Sequence, residues 1–569
     1  MAKWGREYLP PDLLNDYIRL ATVSIAMGLA IGIGIVIIEE FYNYFLEVAT
    51  FLKTLHPVMV IVVPVVGITF AYELVVRFST TKQAGGGSHR LLEAYHYEGG
   101  VMTQKDTVFE PLASAITMGA GGSAGFEGPS LLLGGGIGSL IAQRLNLEPH
   151  EAQRLLISGA AAGVAAVFKA PLTGIMFALE IPYRRDLSRN AFIPATLASI
   201  SAYFVAVNFL GTSTIFPLIP RFVVPRPLTL LHAFAIGIIT AIIGTLFVRV
   251  FSTTSDLKTR VNLPHVYYPI IGGVIVGVTG LFLPQVTGIG YETVNEIVLG
   301  LSHSWSVWLL LALVVFKIIV TSVTLTSGGS GGVFVPTLFV GAALGSLYVR
   351  FIPVPDEQVL IVAAMASMIA SSNKTLLTSV VFVSETAGPS SIIFTLIAAA
   401  TSYFISRDVS FYEEVQPIDE FSEEEETVNV LYHILSKQKG KQLVEARVDE
   451  FMSRDFVVLR ENMRIEEALF EVQGSRNRVY PVTRRGQLIG QTTLEDLLTF
   501  PPEKRKLQIG LLPMSHPDVL TVDDTVEGVV RYFMHSESTV VWIVDDREKM
   551  RVVGIVTENN LMLRLMEAM

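Results

Sequence analysis

Apolar runs at 21–38, 57–74, 112–118, 131–141, 152–179, 192–210 and 228–250 alternate with short polar or glycine-rich breaks. A second series follows at 269–283, 307–325, 333–348, 359–369 and 376–405. A bilayer core is about 30 Å thick and takes roughly 20 helical residues to cross. The longer runs predict spans; 112–118 and 131–141 are too short and predict broken or re-entrant helices held inside protein. Residues 1–20 mix Lys3, Arg6 and Arg19 with Glu7, Asp12 and Asp16 and predict a short interfacial helix before the first span. Its basic residues favour a cytoplasmic N-terminus, and without a cleavage pattern the 21–38 run reads as a retained helix.

After about Ser410 the periodicity changes. Val448–Met452, 464–472, Tyr480–Val482, Gln487–Gly490 and Thr493–Leu497 read as helix, helix, strand, strand and helix. The same order recurs through 512–533, 540–544, 552–556 and 557–561. Between the two regions lies an acidic stretch, with Glu420 and Glu423–Glu426, that reads as a solvated linker over 416–445.

Composition agrees with this division. The 569 residues are 51% hydrophobic and 17% charged, with a mean hydropathy of +0.51. Soluble domains are nearer about 25% charged. The net charge of −10 comes largely from the tail and says little about partners. With no cysteine, disulfides, thiolate metal sites and cysteine nucleophiles are excluded. None of the ten histidines has the His-Glu-x-x-His spacing of an intramembrane metalloprotease, and intramembrane acids are too few for a divalent-cation pore. The pattern points neither to an enzyme nor to a nucleic-acid binder.

The two apolar series are copies. Residues 121–139 laid over 328–346 match at nine of nineteen positions, including Gly121/Gly328, Ser123/Ser330, Gly125/Gly332 and Pro129/Pro336. Chance would give roughly two in so biased a composition. Residues 168–180 laid over 373–385 share Lys169/Lys374, Thr173/Thr378, Phe177/Phe382 and Glu180/Glu385 at nearly the same offset. An internal duplication with glycine-interrupted segments at corresponding positions points to a transporter-type fold, its ion site at the repeat interface. Within it, Gly121 to Pro129 opens a helix whose unpaired N–H donors attract an anion, and Glu127 is itself an anion able to compete for that place. Small residues there would also serve tight helix packing.

Gly125-Phe126-Glu127-Gly128-Pro129, then Gly332-Val333-Phe334-Val335-Pro336, then Ser410-Phe411-Tyr412 resemble, in that order, the motifs of the ClC chloride channel and chloride/proton exchanger family. The resemblance covers roughly residues 20–415. It implies a multi-span all-α inverted repeat with broken helices, assembled as a homodimer with one pore per subunit. It also implies chloride held by helix N-termini (Gly125, Phe126, Gly128, Gly332, Val333, Phe334), by Tyr412 and by a serine, with Glu127 as the gate. The family's Gly-Ser-Gly-Ile-Pro is Gly87-Ser88-His89-Arg90-Leu91 here, so the pore hydroxyl is Ser88, or Gly87 stands in its place if Ala84-Gly85-Gly86 sets the register. Phe126 replaces a common Lys or Arg, removing a positive charge from the outer mouth. Ile181 stands where proton-coupled relatives have a second acid after Glu180. Passive or weakly proton-coupled chloride flow is therefore expected, the alternative being an antiporter with an atypical proton path. Glu180 reads either as an inner proton donor or as a helix-end carboxylate at the surface near Arg184 and Arg185.

The tail resembles a pair of cystathionine-β-synthase-type (CBS) domains, α/β in class, at 446–503 and 504–569. In that family Thr493 with Asp496 implies an adenine-nucleotide site, and Thr557 with Asn560 a weaker one. The same spacing equally serves a helix cap. Together the expectations are membrane lipid, chloride and protons as partners, no required cofactor, nucleotide as regulator, and N-terminus and CBS domains in the cytoplasm.

Overall fold

The chain divides into two units, Met1–Glu420 and Phe421–Met569. The computed structural model describes residues 11–80, 87–217, 219, 224–261, 263–354, 356–418, 446–473, 475, 479–500, 505–512, 514–515, 517, 519–535, 538, 540–557 and 560–561. Most of the acidic stretch, Glu420 and Glu423–Glu426 included, lies outside these, as do Ala84, Gly85 and Gly86.

The first unit is helical. α1 (Pro11–Leu55) and α2 (Met59–Phe78) lead into the shorter α3 (Gly87–Tyr97) and α4 (Gln104–Gly119). Next come α5 (Glu127–Arg144), α6 (Pro149–Phe168), α7 (Pro171–Glu180), α8 (Phe192–Leu210) and α9 (Pro227–Arg260). The second half holds α10 (Tyr267–Phe282), α11 (Tyr291–Val298), α12 (Val307–Thr326), α13 (Phe334–Phe351), α14 (Glu357–Asn373), α15 (Leu376–Ala387) and α16 (Ile392–Ile405). Among the described residues, six helices are long and apolar enough to cross a membrane. Phe204, Phe209, Phe282, Trp308 and Phe404 are exposed on helix faces, a surface that suits lipid and not water. The unit is an integral membrane domain.

Three expectations change. α1 is one helix from Pro11 onward, with no break between a leader and the span, because nothing between 11 and 55 interrupts it. The 152–179 run is two helices: Lys169 takes φ 51° and Pro171 starts a new helix where its missing N–H costs nothing. Likewise 376–405 breaks at Gly388-Pro389, Gly388 having φ 119°. Half-helices stacked on one another make the interior. Where α5 meets α6 the backbones touch, and a Cβ added to Gly134 would lie 2.1 Å from the Gly159 carbonyl oxygen.

The second unit repeats one small motif. In the first copy β1 (Leu459–Arg460), α17 (Ile465–Glu471), β2 (Val479–Arg484), β3 (Gln487–Thr493) and α18 (Leu494–Thr499) form a sheet of order β1-β2-β3, parallel then antiparallel. β4 (Val519–Thr521), α19 (Val526–His535), β5 (Val540–Val544) and β6 (Val552–Thr557) do the same. The copies exchange their leading segments: Val448, Phe451 and Met452 pack with Val526, Val529 and Val541, while Ile509 and Leu512 pack with Leu459, Ile465 and Tyr480. Val448–Glu450 is a single 3-10 turn, not a full helix, and the short strands β1 and β4 have too little periodicity to read in sequence.

Candidate functional site

The duplicated glycine loops pair with each other. Gly125 N donates to Gly332 O and Gly332 N to Gly125 O, both at 2.9 Å. Side chains repeat the exchange. Ser123 N donates to Thr324 Oγ1 (3.2 Å) and Ser330 N to Thr117 Oγ1 (3.1 Å). The Ser123 hydroxyl meets Thr321 and the Ser330 hydroxyl meets Ser114, each at 2.8 Å. Gly121 and Gly328, one repeat apart, both have positive φ, 108° and 123°. The two halves thus meet about a local two-fold axis, with α5 and α13 starting beside it.

Glu127 lies on that junction, fully buried. Its Oε1 accepts the backbone N–H of Phe334, so the carboxylate sits on the N-terminus of α13. Its Oε2 is buried without a hydrogen-bond partner, a state that costs about 1–3 kcal/mol and more for a charged group. Glycine is required on both sides: a Cβ on Gly332 would fall 1.9 Å from Glu127 Oε1, and one on Gly125 2.3 Å from Oε2. Phe334 packs on Phe168, Phe177 and Phe382, an apolar wall on one side of the seat.

A cavity of 540 Å³ reaches the junction from one side, lined by Ser88, Gly332, Val333 and Tyr412 among others. Ser88 faces it with a buried hydroxyl beside that of Tyr412. Gly87 instead packs on backbone, a Cβ there falling 2.4 Å from the Gly128 oxygen. Tyr412 is buried and donates its hydroxyl to Asn373 Oδ1 at 3.1 Å, a partner that sequence gave no reason to single out. A second cavity of 670 Å³ is lined by Phe126, whose ring meets Tyr42 edge-on at 4.9 Å. Lys53 and Lys169 line it with Glu39, Glu292 and Glu296, so two basic residues face the Phe126 side but acids outnumber them.

Glu180 is not a surface carboxylate paired with Arg184 and Arg185. It is buried and caps α15, accepting from Leu377 N (2.7 Å), Thr378 N (2.6 Å) and Thr378 Oγ1 (2.7 Å). Arg184 donates to the Gln416 and Asp408 carbonyls, and Arg185 to the Asp408 carboxylate. The chain's antiparallel symmetry explains it: Glu385, at the end of α15, caps α7 by accepting from Leu172 N, Thr173 N and Thr173 Oγ1. The matched pair Glu180/Glu385 in the sequence was the available signal. Ile181 is buried beside it, its carbonyl accepting from Gln416 Nε2 at 2.9 Å.

In the second unit Thr493 Oγ1 accepts from Asp496 N (3.0 Å) and Asp496 Oδ2 from Thr493 N (3.1 Å), a reciprocal helix cap. Thr557 Oγ1 accepts from Asn560 N at 3.3 Å.

Comparison with known proteins follows this geometry. Residues 65–407 match the family model described as voltage gated chloride channel, and 448–503 and 509–567 match the CBS domain. The chain is 28% identical over 314 residues to the voltage-gated ClC-type chloride channel ClcB of Citrobacter koseri, covering 53% of this chain and 74% of that one. It is 32% identical over 288 residues to the H(+)/Cl(-) exchange transporter ClcA of Klebsiella pneumoniae, covering 47% and 59%. The crystal structure of a eukaryotic CLC transporter superposes with a TM-score of 0.61 at 18% identity, over 96% of this chain and 98% of that one, which speaks for the fold. With the match spanning more than half of its length, the chain belongs to the voltage gated chloride channel family and carries a C-terminal pair of CBS domains.

Proposed function

We propose that this protein carries chloride across a membrane and that Glu127 is its gate. The supporting observation is the seat of the Glu127 carboxylate on the N-terminus of α13, the place an anion would take. A charged Glu127 competes with chloride there. A protonated one loses its hold on the helix dipole and yields the place, so acid and chloride entry are coupled. Ser88, Gly332, Val333 and Tyr412 would pass the ion along the first cavity, with Gly125, Phe126, Gly128 and Phe334 framing the gate.

Ile181 cannot carry a proton, and Glu180 is engaged in capping α15, which favours passive or weakly proton-coupled flow. Exchange with protons is the second reading, favoured by the buried carboxylates beside the first cavity. Reconstituted protein in opposing chloride and proton gradients separates them. A reversal potential set by chloride alone supports passive flow; sustained uphill proton movement supports exchange. A homodimer is part of the proposal, as is adenine-nucleotide regulation through Thr493 and Asp496, with Thr557 and Asn560 as a weaker second site. Cytoplasmic placement of the N-terminus and the CBS pair completes it.

A further inference from the structure

If Glu127 is protonated from the Tyr412 side, some group other than Ile181 must bring the proton, and that requirement rests on the reading above. The first cavity is also lined by Glu110, from the middle of α4 and 4% exposed. Glu110 Oε1 lies 3.1 Å from Ser79 Oγ, which lies 2.7 Å from Asp106 Oδ1. Asp106 accepts from Thr80 N at 2.7 Å and from Thr80 Oγ1 at 2.5 Å, and Thr80 is exposed. A serine hydroxyl has one hydrogen and cannot donate to both carboxylates at once. The arrangement therefore has room for a proton that moves between them.

Two further features point from Glu110 toward the gate. Gly332 lines the same cavity and touches the Glu127 carboxylate, whose Oε2 is buried without a partner. The Ser88 hydroxyl, 1% exposed and beside that of Tyr412, faces the space between. A cavity of this size with this many polar side chains on its wall accommodates water. The other charged or titratable groups on it are His89, Arg90, Glu93, Asp256, Tyr412, Glu413 and Glu414. Arg90 lies 3.8 Å from Asp106 Oδ2 and 2.7 Å from Glu98 Oε2. One repeat later the counterpart of Glu110 is Lys317. It is held by the carbonyls of Val286, Gly288 and Ile289, so no matching acid serves the other half.

We propose that Glu110 passes protons between the Ser79–Asp106 chain and water in the first cavity, and so to Glu127. The Glu110 O–H bond breaks as cavity water accepts its proton, and that water releases a proton to Glu127 Oε2. The Ser79 hydroxyl then gives its hydrogen to the Glu110 carboxylate and takes one from protonated Asp106, which is recharged from solution beside Thr80.

The test uses the full chain in liposomes. It has no cysteine of its own, so a single Ser255→Cys in the first cavity lets a membrane-impermeant thiol reagent silence every copy whose cavity faces outward. Chloride flux through the remaining copies is read while lumenal and external pH are varied separately. The expected result is that acid on either face speeds flux in the parent. In Glu110→Gln the lumenal response is lost and the external response kept, which also reports folding, and Glu110→Asp restores part of the loss. A full lumenal response in Glu110→Gln, or a parent that responds only to external acid, overturns the proposal and leaves Glu127 as the gate. A parent insensitive to acid on both faces overturns the gate reading and this proposal together.

Discussion

The loop at Gly121–Pro129 and the loop at Gly328–Pro336 have one backbone and two chemistries. Gly121/Gly328, Gly122/Gly329, Ser123/Ser330 and Gly125/Gly332 correspond, as do the cross-repeat hydrogen bonds, yet Glu127 in the first aligns with Phe334 in the second. The half that lacks the acid supplies the N–H that the acid binds. Duplication built the scaffold, and the proposed gate rests on an acid present in one loop alone; with a carboxylate in both loops, two like charges would share one buried junction.

Gly332→Ala breaks the comparison hardest. Its new Cβ would fall 1.9 Å from Glu127 Oε1, so the carboxylate must leave its seat. The expected outcome is flux that no longer depends on pH, with stability lower by about 1–3 kcal/mol, the usual range for overpacking. Adding Glu127→Ala should recover much of that stability, measured by thermal unfolding in detergent; no recovery would mean that the clash lies elsewhere.

The reciprocal caps sharpen it next. Glu180→Gln and Glu385→Gln each weaken one helix start, by about 0.5–2 kcal/mol. The loss should be larger for Glu180, which is buried, than for the partly exposed Glu385. Neither variant should change the proton-to-chloride ratio, since both carboxylates act as caps. A changed ratio in Glu180→Gln would return it to the proton path.

Smallest are Ser123→Ala and Ser330→Ala, which remove the paired hydroxyl contacts to Thr321 and Ser114. Each should cost about 1 kcal/mol in denaturant unfolding. Equal losses would support the two-fold junction, and a loss confined to one would deny it.

Much of this was legible in the chain, because glycine and proline mark backbone needs that survive duplication. Gly125 and Gly332 could be aligned before their mutual bonds were known, and Pro129 and Pro336 marked two helix starts. The break at Lys169 was missed although Pro171 marked it, since a lysine in the left-handed region leaves no compositional trace and the apolar run around it reads as continuous. Asn373 and the Glu110–Ser79–Asp106 chain were invisible for another reason. They join positions far apart in sequence, and isolated polar residues in apolar segments do not announce their partners. In the tail, the exchange of leading segments follows from which sheet Val448 and Ile509 reach, and hydrophobic pattern alone does not say.

The central claim, that the charged form of Glu127 closes the anion path, is tested most directly by chloride efflux from liposomes across a pH series, with Glu127→Gln beside the parent. Acid neutralises the carboxylate, which then leaves the N-terminus of α13, so parent flux should rise as pH falls. Glutamine carries no charge at any pH, so the variant should stay near the parent's acidic rate throughout. A variant that keeps the parent's pH dependence would contradict the account.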